Sequence, residues 1–395
     1  MGEMSRARRT LCAALLVVLG FTLGCSEFIV IGIEPDIAQS CGVSLSRAGE
    51  LMSSFAALYA VCTPLLALFT GRFRRYFLLL AYLIVFVAGN LLSMLASSFD
   101  VLLVSRMLMG IVSGALLAVA VTYISDFVSP RRVPVLLSIV YASYSVAMVL
   151  STSLGKLAAE FLTWHAALEG TFALSLVTSV LLLVFLPRAG STDAPATARE
   201  QLPLGRDPRV LAGIFVFVFG VASTYVFYGY ITPYLQDVLG MSAVGASTVL
   251  LAYGAVCMLS NLLSGWFAVR FPIGSLIPVF IVQGVLLASL TFVGASLAPA
   301  LGIIVGIALC MYILSTPCAA FFVQLARSEY PKALTLAASI EPMAFNIGIA
   351  LGTAVGGQVV SGAGLAMVGI AGSAFSVCAV AAVALMARFI KLRAR

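Results

Sequence analysis

The sequence predicts an all-α membrane protein with twelve transmembrane helices in two pseudo-symmetric halves of six. Of its 395 residues, 62% are hydrophobic and only 9% are charged, whereas soluble domains carry about 25% charged residues. About twelve apolar windows of roughly 20 residues, the length that crosses a bilayer, follow one another along the chain. One long polar interruption, residues 187–209, divides these windows into six and six.

The predicted spans follow the apolar windows in order. The interruption between the sixth and seventh spans is rich in Pro, Ala, Thr and charged residues, so we interpret residues 187–209 as a flexible cytoplasmic linker. It separates an N-terminal half, 1–186, from a C-terminal half, 210–395. The twelve spans cover residues 11–33, 47–70, 76–97, 101–125, 133–158, 164–186, 210–233, 243–269, 274–296, 299–325, 333–360 and 365–388.

Two short repeats indicate that the halves are related. LLALFTGRF at residues 65–73 resembles LLSGWFAVRF at residues 262–271, with one inserted residue. LSTSLG at residues 150–155 resembles LGTAVG at residues 351–356. Repeated halves with small residues on their helix faces are typical of carriers that work by alternating access.

The basic residues predict the orientation of the chain. All 22 Lys and Arg residues except Arg47, Arg106 and Lys156 lie in segments on one side of the bilayer. The positive-inside rule therefore places both termini and the linker in the cytoplasm and Cys41 outside. The net charge of +7 is explained by the basic residues on the cytoplasmic side of the predicted topology. We therefore expect a lipid bilayer and not nucleic acid as a partner.

The cysteines indicate neither a metal site nor a disulfide framework. The sequence has eight of them without paired spacing, and all but Cys41 fall inside predicted spans. A cysteine at such a position behaves as a small apolar residue. We therefore predict no metal and no cofactor.

Glu27 is the one carboxylate deep in the first predicted span. An ionisable group at that depth costs about 3 kcal/mol on insertion scales. Gly20 and Gly24 share its helical face, so Glu27 is expected to face the bundle. Arg106, at a similar depth in the fourth span, needs an anionic or carbonyl partner, and both the Glu27 carboxylate and backbone carbonyls of the first span are candidates. We predict that the two residues carry proton coupling, and the alternative is a static pair that fixes packing.

Two further carboxylates lie near or inside predicted spans. Glu34 is two helical turns beyond Glu27 and could relay protons to the outside, although Glu34 and Asp36 at the end of a span are also expected to face water. Glu341 precedes Pro342 in the eleventh span, where the proline predicts a helix break of the kind that forms carrier sites. Glu341 is predicted either to line a cavity or to extend toward the cytoplasm.

Polar and aromatic residues of three spans predict a substrate site. Tyr225, Tyr228 and Thr232 follow one helical face of the seventh span, and Tyr144 and Asn346 lie in the fifth and eleventh. Aromatic walls with a few hydroxyl and amide groups suit an uncharged, amphipathic or sugar-like ligand. The alternative is an aromatic belt or ordinary helix packing.

Several motifs resemble those of a known family. They are SEFIVIG at 26–32, SRMLMG at 105–110, LSTSLG at 150–155, YGYITPYLQ at 228–236 and FNIGIALGTAVG at 345–356. Together they resemble the major facilitator superfamily, and within it the bacterial drug–proton antiporters of the sugar-efflux and nucleoside-efflux type.

The resemblance implies a monomeric, proton-coupled exporter of the bacterial inner membrane, in which Arg106 influences proton release from Glu27. The chain departs from the family pattern at four places, and one of them is Trp164-His165, where relatives often have Trp-Arg. TGRFRRY at 70–76 lacks an Asp, residues 151–153 read Ser-Thr-Ser in place of Gly-x-Pro, and Glu34 replaces an apolar residue.

The leading functional prediction is therefore a proton-coupled exporter of small organic molecules that are sugar-like, nucleoside-like or drug-like. An uptake carrier or uniporter of a small polar metabolite is the alternative, followed by a non-transporting membrane sensor. An enzyme is not expected, because the chain has one His and neither a His-Glu metal motif nor a nucleophile elbow.

Overall fold

The computed structural model describes residues 5–70, 73–128, 133–187, 198–294 and 296–393, and every regular element within them is a helix. The described residues form twelve long helical segments: α1 Arg6–Cys41, α2 Glu50–Thr70, α3 Arg75–Met94, α4 Phe99–Thr122, α5 Val133–Phe161, α6 Trp164–Phe185, α7 Pro208–Tyr228, α8 Ala243–Arg270, α9 Leu276–Val293, α10 Leu297–Met311 continued by Ser315–Glu329, α11 Leu334–Gly362 and α12 Val368–Arg393. The predicted basic positions Arg72, Arg131, Arg132, Arg188 and Arg395 and linker residues 188–197 lie outside the described residues.

The predicted fold class is confirmed. Among the described residues, eleven of these segments are long and apolar enough to cross a membrane. Helix α5, which carries five serines, two tyrosines and Lys156, is not among the eleven, but its 29 residues exceed the length that crossing requires. The two sequence repeats begin on equivalent helices, the second of each half (α2 and α8) and the fifth (α5 and α11). Ala198–Gly205, inside the predicted linker, is a short helix.

Helix α1 is longer than its apolar stretch. It continues past Pro35 to Cys41 and ends on Gly42, whose φ of 64° is the left-handed conformation that glycine adopts freely. Proline has no N–H to donate to the carbonyl four residues earlier, which here belongs to Ile31. The hydroxyl of Thr232, from the other half of the chain, donates to the Ile31 oxygen at 2.6 Å. A contact between the halves thus satisfies the acceptor that Pro35 leaves open.

Glycines bring α1 close to α5, as the sequence predicted for the small residues of the first span. A Cβ atom added at Gly24 would lie 2.8 Å from the Tyr144 carbonyl oxygen, and one at Gly32 only 2.1 Å from the Thr152 oxygen. The corresponding pair of the second half, α7 and α11, uses the same device with the glycines on α11. Side chains at these positions would push the helices apart, so the glycines allow Tyr144 of α5 to lie close to α1.

Helix α10 is interrupted in the middle of the membrane, where the sequence predicted one continuous span. Pro317 cannot donate to the Ile313 carbonyl, and the helix is broken between Met311 and Ser315. Ser264 of α8 replaces the missing donor, since its hydroxyl lies 3.0 Å from the Ile313 oxygen. Backbone groups freed inside a membrane require such side-chain partners. The break places Tyr312 between the halves.

The two ends of the bundle differ in how closely the halves meet. We call the end at Gly42 the loop end, and the end where α1 begins and α12 ends the terminal end. At the loop end, Ser153 of α5 and Ser247 of α8 share a hydrogen bond of 2.8 Å between their hydroxyls. Toward the terminal end, Tyr141 of α5 keeps 42% of its surface exposed, and Glu341 of α11 is only half-buried. The seam between the halves is therefore closed at the loop end and open toward the terminal end.

Candidate functional site

Arg106 is buried in α4 and is bound by backbone oxygens. Its side chain, 1% exposed, donates to the carbonyls of Ser26 and Glu27 of α1 and, at 3.4 Å, to the carbonyl of Leu51. Its guanidinium carbon lies 4.6 Å from the centre of the Phe55 ring, a cation–π arrangement. The sequence allowed either the Glu27 carboxylate or backbone carbonyls of α1 as the partner of Arg106, and in the structure the guanidinium is hydrogen-bonded to the carbonyls. The guanidinium still acts electrostatically on the Glu27 carboxylate.

Glu27 lies in the seam between the helices. It is 1% exposed, and its carboxylate accepts a hydrogen bond from the hydroxyl of Tyr144. The Tyr144 ring packs edge-on against Phe28 with a centroid distance of 5.9 Å. The sequence assigned Glu27 to proton coupling and Tyr144 to the substrate wall. In the structure the two side chains are hydrogen-bonded to each other, so a change in the charge of Glu27 or in the position of Tyr144 alters the surroundings of the other residue.

Glu34 is buried, and the expectation that it faces water is wrong. The continuation of α1 past Pro35 leaves Glu34 with 2% exposure. Neither of its carboxylate oxygens has a hydrogen-bond partner among the described residues. The packing of the loop end thus encloses an ionisable group without a donor.

Asp36 is held by an ion pair that the sequence did not predict. Lys156 of α5 lies 3.0 Å from the Asp36 carboxylate, with side-chain exposures of 3% for the lysine and 24% for the aspartate. Lys156 was one of the three basic residues outside the cytoplasmic set. Its partner explains its burial, because a lysine at this depth needs an anion.

Tyrosines and phenylalanines from both halves form an aromatic cluster in the seam. Tyr225 and Tyr228 of α7 contact each other edge-on at 5.4 Å, and Tyr228 stacks on Tyr253 of α8 at 5.0 Å. Phe345 of α11 stacks on Tyr312 at 5.8 Å. We define this aromatic cluster as Phe28, Tyr144, Tyr225, Tyr228, Tyr253, Tyr312 and Phe345. The sequence identified three of its tyrosines and missed Tyr253 and Tyr312.

Thr232 does not belong to this cluster. Helix α7 ends at Tyr228, and the chain turns through Gly229 and Tyr230 before Thr232. The helical spacing that grouped Thr232 with the tyrosines therefore does not apply beyond Tyr228. Its hydroxyl is used in the bond to Ile31, which places Thr232 at the contact between the halves.

Asn346 and Glu341 provide acceptor oxygens on α11. The Asn346 amide nitrogen donates to the Pro342 carbonyl at 3.1 Å, whereas its oxygen has no hydrogen-bond donor among the described residues. Pro342 lies inside the unbroken helix Leu334–Gly362, so the break predicted beside Glu341 is wrong and the interruption lies in α10 instead.

A charged cluster at the terminal end was not predicted. Arg209 of α7 lies 2.7 Å from Asp207 and 2.7 Å from Glu329 at the end of α10, and Arg393 of α12 lies 2.8 Å from Asp207. Burial raises the pKa of Asp207, but hydrogen bonds donated by Arg209 and Tyr330 outweigh burial and hold the pKa at about 2. The cluster fastens the start of α7 to the ends of two other helices.

The arrangement of twelve helices in two halves, with ionisable groups in the seam between them, defines a polytopic membrane transporter. The family profile of the Major Facilitator Superfamily matches residues 16–337. The chain belongs to this superfamily, and it is therefore a transporter and not an enzyme.

Similar proteins agree with this assignment. The MFS-type transporter YtbD of Bacillus subtilis is 29% identical over 364 residues, which cover 92% of each chain. The inner membrane transport protein YdhP of Escherichia coli K12 is 27% identical over 360 residues, 91% of each chain. A crystal structure of a bacterial homologue of the human lysosomal transporter Spinster, in an inward-facing and occupied conformation, superposes with a TM-score of 0.77 over 98% of each chain at 18% identity. This last likeness shows the fold alone.

Proposed function

We propose that the protein is a proton-coupled exporter of small organic molecules that works by alternating access. The observation that carries the proposal is the pairing of Glu27 with Tyr144 in the seam. A buried carboxylate there is hydrogen-bonded to a member of the aromatic cluster. One group can thus exchange a proton while its partner contacts substrate.

Electrostatics supplies the coupling. A carboxyl group is ionised more readily in water than in an apolar interior, so water in the open seam favours proton release from Glu27. Glu27 takes up a proton from the outer water when the loop end opens, and closure of the seam then favours the neutral, protonated form. Arg106 is fixed to the backbone of the same turn of α1, and its positive charge assists release. Glu34, buried at the closed loop end, would exchange its proton when that end opens.

The orientation follows the basic residues. With both termini and the linker 187–209 in the cytoplasm, the terminal end faces the cytoplasm and the loop end faces outward. The seam is then open to the cytoplasm, where an exporter loads its substrate. The relative YdhP is named as an inner membrane protein, and we place this chain in a bacterial inner membrane, as a monomer with halves 1–186 and 210–395.

The substrate is proposed to lie against the aromatic cluster. Tyr144, Tyr225, Tyr228, Glu341 and Asn346 are its contacting residues. Thr232 acts on the conformational equilibrium through its bond to Ile31.

Transport by purified protein in liposomes tests the proposal. A pH gradient should drive uphill movement of a substrate found by screening sugars, nucleosides and lipophilic drugs. Glu27→Gln should keep exchange of that substrate at equal concentrations and lose the uphill movement. Glu169→Gln, at an exposed position of α6, is the matched control. Uphill movement by Glu27→Gln would place the coupling proton elsewhere, and gradient-independent movement by the wild type would indicate a uniporter.

A further inference from the structure

A surface cavity lies beside the charged cluster at the terminal end of the bundle. Its volume is about 550 Å³, and it lies between the short helix Ala198–Gly205, which we call the linker helix, and the ends of α7, α10 and α12. Cavities of this size hold small ligands. We call this cavity the linker pocket, and its walls include Leu202, Arg206, Asp207, Tyr330 and Arg393.

The wall that the linker helix forms is fixed to the C-terminal half. Leu204 is fully buried, and Glu200 pairs with Lys332, which follows α10, at 2.8 Å. The backbone N–H of Arg206 donates to the carbonyl of Pro203 at 3.2 Å. Arg206 is therefore held at the end of a docked helix, beside the pocket.

The pocket carries positive charge that the protein leaves available. The side chain of Arg206 is exposed and makes no ion pair or hydrogen bond among the described residues. Arg393 bonds to Asp207 at 2.8 Å but keeps 55% of its side chain exposed. The carboxylate of Asp207 has no exposed surface and also accepts hydrogen bonds from Arg209 and Tyr330. The acid of the pocket is thus saturated by its own cluster, and the two exposed guanidiniums remain open to an anion.

The chain around the pocket is also basic. Residues 200–209, 327–332 and 388–393 contain seven Lys and Arg residues and three Asp and Glu residues. A guanidinium is a planar fork that matches the oxygens of a phosphate, and charge-assisted hydrogen bonds of this kind are strong. Basic pockets at the cytoplasmic ends of membrane helices bind the headgroups of anionic lipids. Leu202, which lines the pocket and is 50% exposed, offers an apolar surface to the remainder of such a lipid.

We propose that the linker pocket binds a phosphate group between Arg206 and Arg393. The phosphate belongs to the headgroup of an anionic phospholipid or to a soluble phosphate, and the exposed Leu202 favours the lipid. Occupancy joins the linker to the end of α12. The site is independent of the proposed function, because Tyr225 of the aromatic cluster lies about 25 Å further along α7 than the pocket.

Thermal unfolding of the purified full-length protein in detergent tests the site. At least one of two probes, short-chain phosphatidylglycerol and inorganic phosphate, should raise Tm by about 3 °C when its concentration is about 100 times the Kd. Phosphatidylcholine with the same chains, which has no net charge, and acetate at equal ionic strength should not. Arg206→Gln should raise the probe concentration needed for half of the effect about tenfold, as expected for the loss of a charge-assisted hydrogen bond. Arg270→Gln, which removes an exposed arginine at the end of α8, should respond like the wild type.

The two probes identify the source of the phosphate. A response to phosphatidylglycerol alone assigns the site to a lipid headgroup, and a response to inorganic phosphate assigns it to a soluble phosphate. The inference is overturned if neither probe raises Tm above its control, or if Arg206→Gln responds like the wild type. Arg206 is exposed and unpaired, so Arg206→Gln without a probe should unfold within about 1 °C of the wild type. The proposed function fails separately, if a pH gradient drives no uphill transport.

Discussion

Replacement of Arg106 by alanine should destabilise the protein by about 3 kcal/mol. The side chain donates to the carbonyls of Ser26, Glu27 and Leu51. Loss of this donor costs about 1 kcal/mol for each buried carbonyl that keeps a second hydrogen-bond partner. The contact with Phe55 adds about 1 kcal/mol. These terms add to about 4 kcal/mol. The desolvation cost of the buried charge disappears with the side chain, so the expected net loss is smaller, about 3 kcal/mol.

Thermal unfolding of the purified protein in detergent measures this effect. An unfolding entropy of about 2 cal/mol/K per residue over 395 residues converts 3 kcal/mol into a fall of about 4 °C in Tm. Arg106→Lys should recover part of the loss, because lysine restores the charge without the planar fork.

Arg47→Ala is the matched control. Arg47 pairs with the carboxylate of Asp100 at 3.1 Å and, like Arg106, lies over a phenylalanine ring, but the side chains of Arg47 and Asp100 are 53% and 79% exposed. An exposed pair contributes less than about 1 kcal/mol, so its Tm should fall by about 1 °C or less. Equal Tm values for Arg106→Ala and Arg47→Ala would refute the proposed role of the backbone contacts, as would full recovery by Arg106→Lys.

Three further predictions concern the loop end and the terminal end. In Thr232→Val the open state of the loop end should be about fivefold more populated. The closed state loses the hydrogen bond to the Ile31 carbonyl, which contributes about 1 kcal/mol. A cysteine placed at the loop end should react faster with a thiol reagent in this variant but not in Thr232→Ser. Glu34→Gln should keep this cysteine protected and leave only the pH dependence that comes from ionisation of the thiol itself. The depressed pKa of Asp207 stabilises the protein by about 2 kcal/mol above pH 4, and this contribution should disappear as the pH falls from about 4 to 2. Asp207→Asn should lack that transition in acid unfolding curves, and an unchanged transition would contradict the assignment.

The sequence predicted the number of helices because apolar length is a direct consequence of bilayer thickness. It also predicted the depth of Glu27 and Arg106 and the close approach allowed by the glycines of α1. These features depend on composition and helical spacing within one helix. They do not require knowledge of which helices are neighbours.

The errors arose where a tertiary contact replaces a local signal. Pro35 and Pro342 lie inside intact helices, whereas Pro317 follows a break. The freed carbonyl of Ile31 has a partner in Thr232, and α8 supplies the hydroxyls of Ser260 and Ser264 at the break in α10. Only the packing of other helices distinguishes these cases. For the same reason the sequence could not assign Arg106 to carbonyls or predict the burial of Glu34.

The central claim is that Glu27 exchanges a proton as substrate binds. Its most direct test is the release of protons from lightly buffered, purified protein when the screened substrate is added, followed with a pH indicator. The wild type should release protons in proportion to the substrate bound. Glu27→Gln should bind substrate and release none, and Glu169→Gln should behave like the wild type. Proton release by Glu27→Gln equal to that of the wild type would contradict the claim.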